Sequence, residues 1–144
     1  MFKLITNNAE LCNSVKKADY INGSSLDVLI SVRGLVHSGS IILTHPLCGN
    51  LRPSHQPFRS VIIDELSGSA DIDSLTLIEN AVNIYRSSEL IMPYELDDYS
   101  LADYAYIDSE LMRESLERYR LIKNNVKNEN LCTAPSLSLL VKEV

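Results

Sequence analysis

A three-layer α/β sandwich with a mostly parallel sheet of about five strands, Rossmann-like in plan, is the fold this sequence predicts. Two observations predict it. Short apolar runs rich in β-branched residues alternate with longer segments whose apolar residues recur at helical spacing. Capping and turn residues separate most of these runs, and only one long stretch is left without an element.

Phe2 to Thr6 reads as the first strand, stopped by Asn7-Asn8, and an Asn there can cap a helix over 8–17. A short second strand over 19–22 ends at Gly23-Ser24-Ser25. Ser25 is the expected N-cap of a helix over 26–37, in which Leu26, Leu29, Ile30 and Val36 repeat at helical intervals. His37 in its last turn and Gly39 just beyond are stop signals. Ser40 to Thr44 suits a buried strand, and Pro46 bars its continuation.

Residues 45–59 hold three prolines and one glycine, which makes them a loop. Loops of that length inside a domain tend to be functional. Ser60 to Asp64 is the fourth strand, with Gly68 in the turn after it. Asp73-Ser74 opens a helix over 74–91, whose stripe is Leu75, Ile78, Val82 and Tyr85 and whose end is marked by Pro93. An acidic connector at 94–100 leads to a fifth strand at 101–107, and Asp108 or Ser109 caps a last helix to 124. One α/β domain therefore spans 1–124, followed by a polar connector and tail at 125–144.

The net charge of −6 excludes broad binding to nucleic acid or to an anionic membrane surface, both of which attract clustered Lys and Arg. No apolar run approaches the roughly 20 residues that span a bilayer. The opening Met1 to Asn8 is too brief for a signal-peptide core, and three widely spaced cysteines (Cys12, Cys48, Cys132) fit a reducing compartment. The expected location is the cytoplasm. Nothing in the composition opposes a homodimer.

Function is less legible than fold, and one segment carries the chemical information. From Val28 to Ile63 there is no Asp, Glu or Lys, yet these residues include Arg33, Arg52 and Arg59 and all three histidines, His37, His45 and His55. The stretch carries +3, which leaves −9 to the rest of the chain. Its functional reading is an anion pocket, because arginine's planar fork suits carboxylate or phosphate. Its bland reading is two buried strands and a buried helix that exclude charge by themselves, with surface arginines between them.

In the pocket reading Arg33, Arg52 or Arg59 binds the anion. Gly49 lets backbone N–H groups approach it, and Asn7, Asn8, Thr44 and His45 orient it. Strand ends of a parallel sheet face one edge, so Thr6-Asn7-Asn8, Thr44-His45 and Asp108-Ser109 are expected to converge there.

Two catalytic candidates stand beside this. His45 as acid or base needs a carboxylate such as Asp108 or Asp64 in reach. Cys48 as nucleophile needs an activating base. His45, Cys48 and His55 match no zinc spacing, so no metal is expected. With no G-x-G-x-x-G, Walker loop, G-x-S-x-G or H-E-x-x-H in the chain, no cofactor is expected either.

Leu4-Ile5-Thr6-Asn7-Asn8, Ser31-Val32-Arg33 through Val36-His37-Ser38-Gly39, and above all Leu43-Thr44-His45-Pro46-Leu47-Cys48-Gly49 resemble the GrdX family. So do Arg52-Pro53 and Pro57-Phe58-Arg59-Ser60-Val61, and the likeness is concentrated in 3–63. Ser40 stands where many members carry a second histidine, and Asn50 where they carry serine. GrdX proteins are small and are encoded beside the glycine, sarcosine and betaine reductase genes of amino-acid-fermenting anaerobes. The resemblance implies a cytoplasmic accessory of that selenium-dependent system, and it carries over no catalytic residues. It leaves three expectations: a binder of a small anionic metabolite at the 45–59 loop, a small enzyme using His45 or Cys48, or a partner of a reductase-complex subunit through the tyrosine-rich 94–106 surface.

Overall fold

The computed structural model describes residues 1–48, 52 and 55–122. In chain order the elements are β1 (Phe2–Thr6), α1 (Ala9–Asn13), β2 (Ala18–Tyr20), α2 (Ser25–His37), β3 (Ile41–Ile42), β4 (Ser60–Asp64), α3 (Ile72–Arg86) and α4 (Asp98–Arg118), with a 3₁₀ turn at Pro93–Glu95. Both ends of β1 and β4 fall where the apolar runs place them.

The sheet has four strands, not five, in the order β2-β1-β4-β3. It is mixed, not mostly parallel: β1 pairs parallel with β2, while β4 is antiparallel to both β1 and β3. The Rossmann-like expectation is therefore corrected, for two physical reasons. A parallel return to the sheet needs a crossover, usually a helix, that carries the chain back across one face. The 45–59 loop is too rich in proline to make one, so the chain re-enters the sheet at the edge where it left, and β4 runs antiparallel to β3.

The second reason concerns 101–107, the expected fifth strand, which lies within α4. The side chain of Asp97 caps that helix by accepting the Ser100 N–H over 2.8 Å, eleven residues before Asp108, the first of the two expected caps. Ala105, Asp108, Met112 and Leu116 then fall at helical spacing on its buried face.

Smaller shifts have local causes. α1 ends at Asn13, short of 17, because Val15 to Lys17 turn to meet the chain end of α4: Lys16 N–H donates to Leu121 O over 2.7 Å. α3 is capped by Asp71 and ends at Arg86, short of 91. There Ser87 and Ser88 turn their hydroxyls onto the Asn83 and Ile84 carbonyls. The end of the last expected helix beyond 122, and the connector and tail at 125–144, lie outside the described residues.

Two apolar clusters flank the sheet. Ile5, Val61 and Ile63 pack against α2 and α3 through Leu29, Val32, Ile78 and Val82. Leu4 and Ile62 point the other way, against Leu11 of α1 and Met112 and Leu116 of α4. The centres of β1 and β4 are thus buried on both faces, which is why Leu4-Ile5 and Val61-Ile62-Ile63 read as consecutive apolar residues. Among the described residues no helix is long and apolar enough to cross a membrane.

Because β4 is antiparallel to its neighbours, its amino end lies at the edge where β1, β2 and β3 have their carboxyl ends. Thr6-Asn7-Asn8, Thr44-His45 and Arg59-Ser60 therefore share one edge.

Candidate functional site at the carboxyl edge

At this edge a chain of buried polar groups joins the two central strands to α4. Thr6 Oγ1 and Ser60 Oγ, directly opposed in the β1–β4 register, are 2.7 Å apart. Ser60 donates its proton to Asp108 Oδ2 over 2.7 Å, so the proton between the two hydroxyls belongs to Thr6. Thr6 Oγ1 also accepts the Asn8 N–H over 3.0 Å. Asn8 caps α1 with Oδ1, while its amide donates to Ala105 O and Asp108 Oδ2 over 3.1 and 3.2 Å.

Asp108 is buried, and burial pushes its carboxyl above the ordinary range. Hydrogen bonds from Ser60 and Asn8 and the nearby Arg59 charge pull it back only in part. Asp108 thus meets the strand ends as expected, although it reaches them from a helix.

Arg59 is the second centre. It is 3% exposed. Its Nη1 donates to Cys48 O over 2.7 Å, and its Nη2 to the Tyr85 hydroxyl over 3.0 Å and to Gln56 Oε1. Tyr85 in turn donates to Gln56 Oε1 over 3.1 Å. Every one of these acceptors is neutral. Among the described residues Arg59 forms no ion pair, and its Nε has no partner.

The other expected residues divide. Asn7 lies at the centre, but its amide serves the fold: Nδ2 donates to Gly23 O and Pro57 O, and Oδ1 accepts the Arg59 N–H. Thr44 Oγ1 accepts the Ile62 N–H over 2.9 Å, continuing the β3–β4 ladder with a side chain. His45 is exposed, and its Nδ1 accepts the Leu47 N–H over 3.0 Å, which turns the ring onto its own loop. Cys48 is half-buried and contributes its carbonyl to Arg59. Arg52 is exposed, and Gly49 lies outside the described residues.

Arg33 is not brought to this edge. It sits about 12 Å along α2 from its start, where its Nε meets Glu79 of α3 at 3.3 Å beside His37. Among the described residues no group of three His, Cys, Asp or Glu is placed to hold a metal.

Sequence reasoning missed Gln56, Tyr85 and Ser60 as members of these networks. The signal for Tyr85 was its buried position on the α3 stripe: a tyrosine hydroxyl inside a core needs a partner.

Next to the network, on the α1 and α4 side, opens a cleft of about 610 Å³. Asn7, Asn8 and Phe58 form part of its floor; Glu10, Tyr20, Tyr94 and Asp98 stand around it. Among the described residues no Lys, Arg or His lines it.

Comparison with known proteins gives one match. A family model described as GrdX-like protein matches residues 3–117. The match runs past the motif-rich first half and through nearly all of α4, so the likeness is not confined to 3–63. No curated protein and no solved structure matches the chain significantly.

Proposed function

Since the chain belongs to the GrdX-like family, we propose that it is a cytoplasmic accessory protein of glycine, sarcosine and betaine reductase metabolism. In this reading it holds a small carboxylate-bearing metabolite beside Arg59 and the 45–59 loop, without transforming it. One observation carries the reading: Arg59 is 3% exposed, and among the described residues its guanidinium is held by neutral oxygens alone, with a buried Nε left unpartnered. Burying a cation is costly unless an opposite charge meets it. Asp108 is a poor counter-charge, because burial holds its carboxyl toward the protonated form. A carboxylate arriving from solvent would supply the missing charge, and exposed Arg52 stands on the loop it would pass.

The non-catalytic part of the reading has its own support. The network's carboxylate is bonded to Ser60 and Asn8, with no histidine in the chain of bonds. The His45 ring faces its own loop.

Isothermal titration with glycine, sarcosine, betaine, acetyl phosphate and common nucleotides tests the proposal. Saturable binding of a carboxylate compound, weakened about tenfold or more by Arg59→Gln in a chain that still folds, is the expected result. Silence from all of them at millimolar concentration removes the idea.

A second reading is favoured by a separate observation. Tyr94, Tyr99 and Tyr106 are 79%, 88% and 59% exposed, a surface suited to a protein partner such as a reductase subunit. Co-purification from native cells, lost when these three are changed to serine, is its test.

A further inference from the structure

We propose that the cleft between α1, the β2–α2 turn and the start of α4 is a binding site for a small organic cation bearing an alkylated ammonium group. The inference concerns the opposite ligand charge from the reading above and does not depend on Arg59; Phe58 of the 45–59 loop and Tyr94 are the residues shared with the readings above.

Size comes first. The cleft measures about 610 Å³, within the roughly 300–1,000 Å³ typical of small-molecule sites. Its lining is mainly apolar and aromatic: Phe58 is buried, while Tyr20 and Tyr94 stand exposed at its rim. Three rings around one hollow are the lining that receives an alkylated ammonium, whose methyl groups bury against the rings while its charge meets their negative faces.

Charge comes second. Glu10 and Asp98 line the same cleft, and among the described residues no cationic side chain does. Each lies in the first turn of a helix, where an acid is stabilised by the helix dipole whatever else it does. Capping does not account for them, however. Asn8 already caps α1 and Asp97 already caps α4. The Glu10 and Asp98 carboxylates form no ion pair and accept no side-chain hydrogen bond among the described residues. Two uncompensated carboxylates beside three rings give the hollow a single preferred ligand sign.

An acidic wall with an aromatic floor repels carboxylates and phosphates, so the cleft is not an extension of the Arg59 centre. The ammonium must carry alkyl groups, because a bare ammonium keeps its water more cheaply than it can exchange it for ring faces.

The test is NMR-monitored titration of the full chain with choline chloride and tetramethylammonium chloride. The neutral carbon isostere of choline and sodium acetate serve as the other arms. Expected are saturable shifts at Ala9, Gly23 and Ala102 with both cations, and affinity about tenfold or more weaker for the isostere. The pair Glu10→Gln and Asp98→Asn, exposed positions whose change spares the core, should weaken choline by a similar factor. Equal binding of choline and its isostere would reduce the cleft to an apolar hollow and overturn the proposal. So would shifts confined to other faces, or none at tens of millimolar. Acetate binding that depends on Arg59 bears only on the other site.

Discussion

Asn7 Oδ1 accepts the backbone N–H of Arg59 over 2.9 Å, tying the end of β1 to the start of β4 through a side chain. The same amide donates to Gly23 O over 3.0 Å and to Pro57 O over 2.9 Å. One residue, 3% exposed, therefore holds three segments of the edge together. Asn7→Ala strands a buried N–H and removes three bonds, which should cost about 2–4 kcal/mol, read as a lowered urea midpoint. Asn7→Asp keeps the acceptor but loses both donors and buries a charge, and should cost more. Equal stability of the wild type and both variants would show that water replaces the amide.

Asp108 makes stability pH-dependent in a definite direction. Its folded carboxyl is raised by burial, so the folded state holds the proton more tightly than the unfolded chain does. That contribution is complete below the unfolded value of about 3.9 and is lost as pH rises through the raised folded value. Asp108→Asn keeps an oxygen to accept from Ser60 and Asn8 but cannot ionise. Its stability should decline less than the wild type's as pH rises above about 4, read by chemical denaturation. Asp108→Ala, which leaves the Ser60 hydroxyl and the Asn8 amide without their acceptor, should lose about 2–3 kcal/mol.

These two residues also show what the sequence could disclose. β1 and β4 were legible to the residue, because strand centres buried on both faces, Leu4-Ile5 and Val61-Ile62-Ile63, must be apolar. So was the cap at Asn8 and the gathering of strand ends at one edge. The direction of β4 was hidden, since it depends on whether the 45–59 loop crosses a face, and apolar runs carry no arrow. The span 101–107 misled because Leu-Ala-Asp-Tyr-Ala-Tyr-Ile fits a half-buried helix as well as a strand. Only Asp97, one acid among several, marked the start. The Arg59 centre was half visible. The arginine stood out by charge, but Gln56 and Tyr85 lie 3 and 26 residues away in the chain, and only folding joins them.

Gly39 adopts φ +114, just past α2, and a Cβ there would lie 2.6 Å from the Gly68 nitrogen and 2.7 Å from the Ser67 carbonyl carbon. Both obstacles are backbone, held in place by the Gly68 N–H donating to Ser38 O over 3.1 Å. Gly39→Ala should therefore cost more than about 2 kcal/mol, through strain and clash together. Gly34 is the control. It lies within α2, a Cβ there meets nothing within 4 Å, and Gly34→Ala should stabilise the protein by about 0.5–1 kcal/mol. Thermal melts of the two variants should move in opposite directions.

The last prediction concerns Lys3, whose Nζ lies 2.8 Å from both Asp19 Oδ2 and Glu65 Oε2. Burial pulls its ammonium pKa down, but the hydrogen bonds and charges of the two acids outweigh this and leave it above the ordinary value. Its contribution to stability is therefore complete below about pH 10.4 and lost as pH rises through the folded value. Glu65 is shifted the other way, chiefly by its hydrogen bond to Lys3. Its share is present above about pH 4.3 and lost as pH falls through its lowered folded value. Cutting the cluster from different sides should give unequal results. Lys3→Met puts an apolar chain where the lysine stem lay and returns two solvent-reached carboxylates to water, so it should cost under about 1 kcal/mol. The pair Asp19→Asn and Glu65→Gln leaves the ammonium, 9% exposed, without either counter-charge, and should be the more destabilising change. Denaturation midpoints at neutral pH decide the order. If the acid-side pair proves the milder change, the lysine is hydrated in solution and the cluster contributes little to the fold.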